Sequence, residues 1–188
     1  KTAYEIPLRL VGSEMCIRDR YNCAGNDVYE GDIKVYTNPW TLPLDAREHL
    51  LEELHNSTFP VRTGTHIEER PGCVNFSIVG RGANQTERLV YSDWDEIKGE
   101  RKAIADRFNE KFPELHAYVG GVTGVDISTK GSDKSQIIRD FMDGDVIFFG
   151  DRLDDHGNDK PLADAITNNN LGSVQPVTDW KDTWSKLK

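Results

Sequence analysis

The chain has 188 residues, enough for one domain or two small ones. Its apolar share of 37% and mean hydropathy of -0.61 describe a soluble globular protein with a modest core. A net charge of -9 and a pI near 5.0 exclude a duplex nucleic-acid binder, which needs a basic face. No apolar run reaches the roughly 20 residues of a membrane helix.

The three cysteines, Cys16, Cys23 and Cys73, form no CxxC or CxxH spacing, and an odd number without a framework suits a reducing compartment better than a secreted scaffold. Sequons at Asn56, Asn75 and Asn84 lie in an Asn-, Ser- and Thr-rich chain and read as chance. "LVGSEMCIRDR", Leu10 to Arg20, resembles a reading frame of a sequencing adapter. Residues 1–20 are therefore set aside as non-native, and the native sequence is expected to begin near Tyr21.

"NDVYEGDIKVYT" predicts a hairpin turning at Glu-Gly-Asp, and the two prolines of "NPWTLPLD" mark a crossing between domains. "DAREHLLEELHN" predicts a helix with Leu50, Leu51 and Leu54 on one face. From Gly64 to Tyr91 the pattern reads as strands, with "RPG" as a turn. A helix then opens at a capping box of Ser92 and Asp95, carries Trp94, Ile97, Ile104 and Phe108, and stops at Pro113. "LHAYVGG" and "GVDIS" form a second strand pair, so this region reads as an α+β unit with helices on one face of a sheet.

After Lys130 the rhythm changes. "GSDKSQIIRDFM" predicts a short helix with Ile137, Ile138 and Phe141 inward, and "DVIFF" a buried parallel strand. "NDKPLADAI" is a helix and "GSVQPV" a strand. "TDWKDTWSKLK" is a helix with Trp180, Trp184 and Leu187 on one face. The β-α-β-α order is that of a doubly wound sheet. The fold class is thus α/β, a partial doubly wound core (residues 21–42 and 130–188) carrying an inserted α+β cap (residues 43–129).

The chemistry concentrates after "DVIFF". Asp151, Asp154, Asp155 and Asp159 crowd into one loop, and carboxylates that close repel unless a cation lies among them. An EF-hand fails on spacing, since His156 falls where that loop needs glycine and Leu162 where it needs glutamate. Two readings remain: a Mg²⁺ site at the carboxyl end of a parallel strand, or a solvated turn with a helix N-cap at Asn158 or Asp159. Lys134, in the first turn of the preceding helix, favours the first reading, because helix and strand together return it toward Asp151.

"GSDKSQIIRDF" followed by "VIFFGDRLDDHGND" resembles motifs III and IV of the haloacid-dehalogenase phosphotransferases. With "RTGTHIEERPGCVNFSIVGR", "ERLVY" and "VGGVTGVDI" in order, the chain from Tyr21 onward resembles the eukaryotic-type phosphomannomutases. The resemblance implies a haloacid-dehalogenase core and a cap of the inserted α/β type. Asp151 would hold Mg²⁺, with Asn158 and Asp159 completing the metal loop, and Lys134 would screen the phospho-enzyme. Arg70, Arg81 and Arg88 would grip the phosphate of a hexose phosphate, and Asp126 would hold its hydroxyls.

The implied activity is conversion of mannose 6-phosphate to mannose 1-phosphate for GDP-mannose supply. It would use a hexose 1,6-bisphosphate activator, in a cytoplasmic homodimer paired through the cap. Two departures stand out: Gly124 replaces the family's serine, and Glu69 replaces an apolar residue where it can compete for Arg70. The family's DxDxT nucleophile has no counterpart in the chain, so the polypeptide as written is expected to be catalytically inactive, with an incomplete core sheet. The rival readings are a sugar-phosphate phosphatase on the same scaffold and a non-catalytic sugar-phosphate-binding module.

Overall fold

The computed structural model describes residues 19–142, 146–154 and 157–187. Most of the adapter-like segment, with Cys16, and the loop residues Asp155 and His156 lie outside the described residues. Strands β1 (Asp19–Asn22), β2 (Asp27–Glu30) and β3 (Ile33–Thr37) form an antiparallel sheet in that order. The predicted hairpin is β2–β3. Asp19 and Arg20, set aside with the first twenty residues, nevertheless pair with Glu30 and Tyr29 as part of β1. Backbone pairing does not depend on side-chain identity, and Arg20 adds a cation–π contact, 5.0 Å from the Tyr29 ring.

At the base of the hairpin, Asp27 is buried and accepts from Thr37 Oγ1 at 2.6 Å and faces Lys34 Nζ at 2.8 Å. Burial works to raise its pKa, but the bonds from Lys34 and Thr37 prevail and hold the carboxyl below the usual range. A carboxyl with a lowered folded pKa contributes stability above its unfolded value, about 3.9, which is lost as pH falls. Urea midpoints measured from pH 6 to pH 2.5 should therefore fall less steeply below about pH 4 for Asp27→Asn than for the native chain.

Between β1 and β2 a 3-10 turn (Cys23–Gly25) presents Asn26, 1% exposed, to two crossings of the chain. Asn26 Nδ2 donates to Cys23 O at 2.8 Å and to Ser132 Oγ at 3.1 Å. Its Oδ1 accepts from Asn38 Nδ2 at 2.8 Å. One fully satisfied amide thus ties the hairpin to residues 38 and 132, where the chain enters and leaves the larger unit.

That unit begins with α1 (Leu44–Asn56). Leu50 is buried and Leu54 packs against the core, but Leu51 is 49% exposed, a correction to the predicted face. At 100° per residue the inward stripe runs through Ala46, Leu50 and Glu53 instead. Buried Glu53 is satisfied bidentately by Arg107 Nε at 2.7 Å and Nη2 at 2.6 Å.

Strands β4 (Ile67–Arg70) and β5 (Cys73–Phe76) flank the predicted Pro-Gly turn, but the strand reading does not extend to Tyr91. Helix α2 (Gln85–Lys98) begins six residues earlier, and its capping box is Asn84 with Glu87, not Ser92 with Asp95. Residues 87–91 include β-formers, but the reciprocal cap satisfies the orphan amides at the helix start and settles the competition. Gly99, at φ +64°, breaks the single predicted helix, and α3 (Glu100–Lys111) follows. Asp95 turns that corner, accepting from Arg101 N at 2.8 Å and Nε at 2.7 Å. Ile104 and Phe108 are buried as expected, whereas Ile97 is 84% exposed.

Strands β6 (Leu115–Gly120) and β7 (Gly124–Thr129) complete an antiparallel sheet in the order β4-β5-β7-β6. One face, with Val74, Phe76, Val125 and Ile127, shares a single core with Leu50, Ile104 and Phe108. Alternation puts Glu68, Arg70, Cys73, Asn75, Asp126 and Tyr118 on the other face, clear of that core.

A 3-10 helix (Lys134–Phe141) leads to β8 (Val146–Gly150), α4 (Lys160–Asn168), β9 (Gly172–Pro176) and α5 (Trp180–Lys186). β8 and β9 pair in parallel, as the alternating rhythm required. Ile137, Ile138, Val146, Phe148 and Val174 pack on Leu162, Ile166 and Leu171. Ile147, on the opposite side of β8, is 62% exposed, so the apolar run is buried on one face only. The Trp180, Trp184 and Leu187 face of α5 is likewise exposed. Among the described residues no helix is long and apolar enough to cross a membrane.

Candidate active site

At the carboxyl end of β8 the chain must leave a parallel strand and enter α4 within ten residues. Asp159 organises that passage. Its carboxylate, on a residue 4% exposed, accepts from the amides of Asp151 at 3.0 Å and Arg152 at 3.1 Å through Oδ2. Its Oδ1 accepts from Lys134 Nζ. The loop closes further through Asp159 N to Arg152 O at 3.1 Å and Gly157 N to Asp154 O at 2.8 Å. Asp159 flanks the start of α4, yet its side chain makes no cap bond there. It turns back into the loop, so the solvated N-cap reading does not hold for it.

Lys134 enters from the first turn of the 3-10 helix, whose own start is capped by Asp133 Oδ1 accepting from Ser135 N at 2.8 Å. Its ammonium reaches Asp159 rather than Asp151 directly. Burial tends to raise the Asp159 pKa, while Lys134, the Arg152 amide and Asp151 together hold the carboxyl below the usual carboxylate range. The crowding visible in the sequence is thereby offset by one lysine and two backbone amides. Lys134, Phe149, Asp151, Asp159, Asp179 and Trp180 line a cleft of about 340 Å³ at this strand end.

Each of the other expected residues has a definite place. Asp151 and Asn158 are exposed at the mouth of the loop. Among the described residues no group of three or more His, Cys, Asp or Glu side chains gathers to hold a metal. Asp151, Asp159 and Asp179 are the carboxylates that line this cleft. Such a set suits a hard cation that keeps several waters, as Mg²⁺ does, and does not suit one that needs a full protein cage.

The second cluster lies on the polar face of the β4-β5-β7-β6 sheet. Arg70 Nη2 donates to Glu68 Oε2 at 2.5 Å, and Arg81 Nε stands 2.9 Å from the same oxygen. The expected competitor, Glu69, points the other way and pairs with Arg47. Residues two apart share a face in a strand, so Glu68 and not Glu69 is the carboxylate beside Arg70. Burial opposes the Arg70 charge, but Glu68 and Asp126 outweigh it and raise its pKa. Arg88 does not join them through a carboxylate. Its Nε donates to Ala83 O at 2.8 Å and its Nη2 to Arg81 O at 2.9 Å, which steadies the loop carrying Arg81.

Asp126 sits opposite Asn75 on one side and Tyr118 on the other. Asn75 Nδ2 donates to Asp126 Oδ1 at 2.6 Å, while Asn75 Oδ1 is buried without a partner. A Cβ on Gly124 would meet Asn75 Nδ2 at 2.4 Å, so the amide occupies the space a serine at 124 needs. Partial burial, then Asp126, push the Tyr118 hydroxyl up to about 12. The sequence marks neither Glu68 nor Tyr118, and Asn75 only as a chance sequon. The spacing of Glu68 and Arg70 was legible there, but the cross-strand partners depend on register, which no local pattern states.

Comparison with known proteins gives the family. The family model described as eukaryotic phosphomannomutase matches residues 45–188. The chain is 31% identical over 161 residues to the phosphomannomutase of Arabidopsis thaliana, covering 79% of this chain and 63% of that protein. It is 34% identical over 122 residues to a probable phosphomannomutase of Caenorhabditis elegans, covering 62% and 48%. The chain therefore spans less than two thirds of the length of these relatives. A solved structure, the N-terminally truncated IMP-nucleotidase of Plasmodium falciparum, superimposes with a TM-score of 0.50 at 10% identity, covering 87% of this chain and 47% of that one. That likeness concerns the fold alone and matches the α/β class. With its model matched over most of the sequence, the chain belongs to the eukaryotic phosphomannomutase family.

Proposed function

We propose that the chain carries the Mg²⁺ loop, the phosphoryl-screening lysine and the sugar-phosphate-binding cap of a phosphomannomutase, acting on hexose phosphates. The observation that carries this reading is the Lys134 ammonium seated on Asp159 beside Asp151, at the carboxyl end of a parallel strand. There a fixed positive charge lies in a cleft next to the oxygen donors that a divalent ion would use. Asp151 and Asn158 are the residues that would hold the ion, and when bound it would neutralise charge on the transferring phosphoryl group. Asp159 has both oxygens committed, so its part is to hold Lys134 and the Asp151 backbone in place.

Lys134 adds a second positive charge that needs no reorganisation at the moment of transfer. In the cap, Arg70 and Arg81 grip the distal phosphate while Asp126 accepts from sugar hydroxyls. The phosphoryl-accepting aspartate of this reading belongs to a DxDxT motif, which the sequence does not contain. Binding, not turnover, is therefore the measurable quantity.

Isothermal titration provides the test. MgCl₂ should bind the native chain, with Asp151→Ala weakening it at least about tenfold, and mannose 1-phosphate should bind with Arg81→Ala weakening it by a similar factor. If the native chain takes up neither Mg²⁺ nor mannose 1-phosphate, the reading is wrong.

A further inference from the structure

We infer that Glu68 is an internal anion held where a ligand phosphate binds, and that a phosphorylated ligand enters by displacing it from Arg70 and Arg81. This deepens, and rests on, the sugar-phosphate reading of the cap. One carboxylate oxygen receives both arginines, at 2.5 Å and 2.9 Å. The arginines come from different elements: Arg70 ends β4, and Arg81 lies in the loop after β5. Their convergence is imposed by the fold. Arg81 N bonds Thr65 O at 2.8 Å, Gly82 N bonds Thr63 O at 3.2 Å, and Arg88 braces Arg81 O from α2. Two guanidiniums aimed at one oxygen form a site for an oxyanion, and Glu68 fills it.

The exchange is inexpensive in both directions. The Glu68 side chain is 36% exposed, so it can swing into water without stranding a buried charge. A phosphate dianion offers more charge and three oxygens, and so outcompetes one carboxylate, but with an affinity reduced by the ion pairs it breaks. Departure is eased in turn, because Glu68 re-forms those pairs as the phosphate leaves. A cap that must hold a sugar while it turns between two transfers needs a grip of this exchangeable kind.

Titration calorimetry and stopped-flow dissociation with mannose 1-phosphate and with inorganic phosphate test the inference. Glu68→Gln keeps length and hydrogen bonding but removes the charge. It should lower Kd for both ligands about threefold or more, with dissociation slowed to match, the size expected for two part-exposed ion pairs. Glu68→Ala should also bind more tightly than the native chain. If Glu68 instead orders the arginines for the ligand, both variants bind no better or more weakly, and the inference is overturned. If the variants bind and the native chain does not, the ligand cannot displace Glu68, and the inference is overturned. If no form binds either ligand, the sugar-phosphate reading fails and this inference falls with it. Circular dichroism on each variant confirms that the fold is retained.

Discussion

Asp159→Ala is expected to lower the unfolding free energy by about 2–3 kcal/mol, measured by urea titration. Truncation leaves the Asp151 and Arg152 amides without their acceptor and the Lys134 ammonium without its counter-charge. Leaving a buried donor unsatisfied costs about 1–3 kcal/mol, and breaking a buried ion pair 3–5 kcal/mol. The lysine side chain is 34% exposed, so water recovers part of its share and the estimate stays at the low end. Asp151→Ala, at an exposed position, should change stability by no more than about 0.5 kcal/mol while weakening Mg²⁺ uptake at least about tenfold. The contrast separates the residue that builds the loop from the one that uses it. Equal losses of stability for the two variants would sink that division.

Gly80→Ala should cost about 3 kcal/mol or more and weaken mannose 1-phosphate binding in whatever fraction still folds. Gly80 has φ +83°, and a Cβ there would stand 1.9 Å from Thr63 O. A left-handed conformation costs an ordinary residue roughly 1–2 kcal/mol before any clash is counted. Here the obstacle is backbone that cannot rotate away. Thr63 also accepts from Gly82 N and donates to Val79 O at 2.9 Å, so any shift moves the loop that aims Arg81. Gly31→Ala is the control, because Gly31 has φ +56° but open space around it. It should cost only about 1 kcal/mol and leave ligand binding unchanged. A Gly80 variant no worse than the Gly31 variant would show that the loop yields easily.

Much of the architecture is stated locally. The hairpin at Gly31, the helix in residues 44–56, the strand pair around Pro71–Gly72 and the parallel strand before Asp151 each follow from side-chain period and turn chemistry acting over a few residues. The helix in residues 85–98 departs from the strand pattern because its β-forming residues compete with the Asn84–Glu87 capping box, and the cap prevails. Leu51, Ile97 and Trp180 share the periodicity of their helices yet lie exposed, because periodicity reports which residues share a stripe, not which stripe finds a partner.

The two site clusters divide in the same way. Residue order alone put an aspartate-rich loop after an apolar strand and a lysine before it, an arrangement that favours a cation among the carboxylates over a solvated turn. Which carboxylate receives the lysine is a tertiary matter: Asp159 is the one because its burial and two backbone amides hold it under Lys134. Likewise a strand with Glu68 and Arg70 two apart puts both on one face. Only the packing of residues 80–82 against 63–65 brings Arg81 to the same oxygen. Charge and period act between near neighbours and are written along the chain, whereas convergence of distant groups depends on register and loop packing, which exist only once the core has formed.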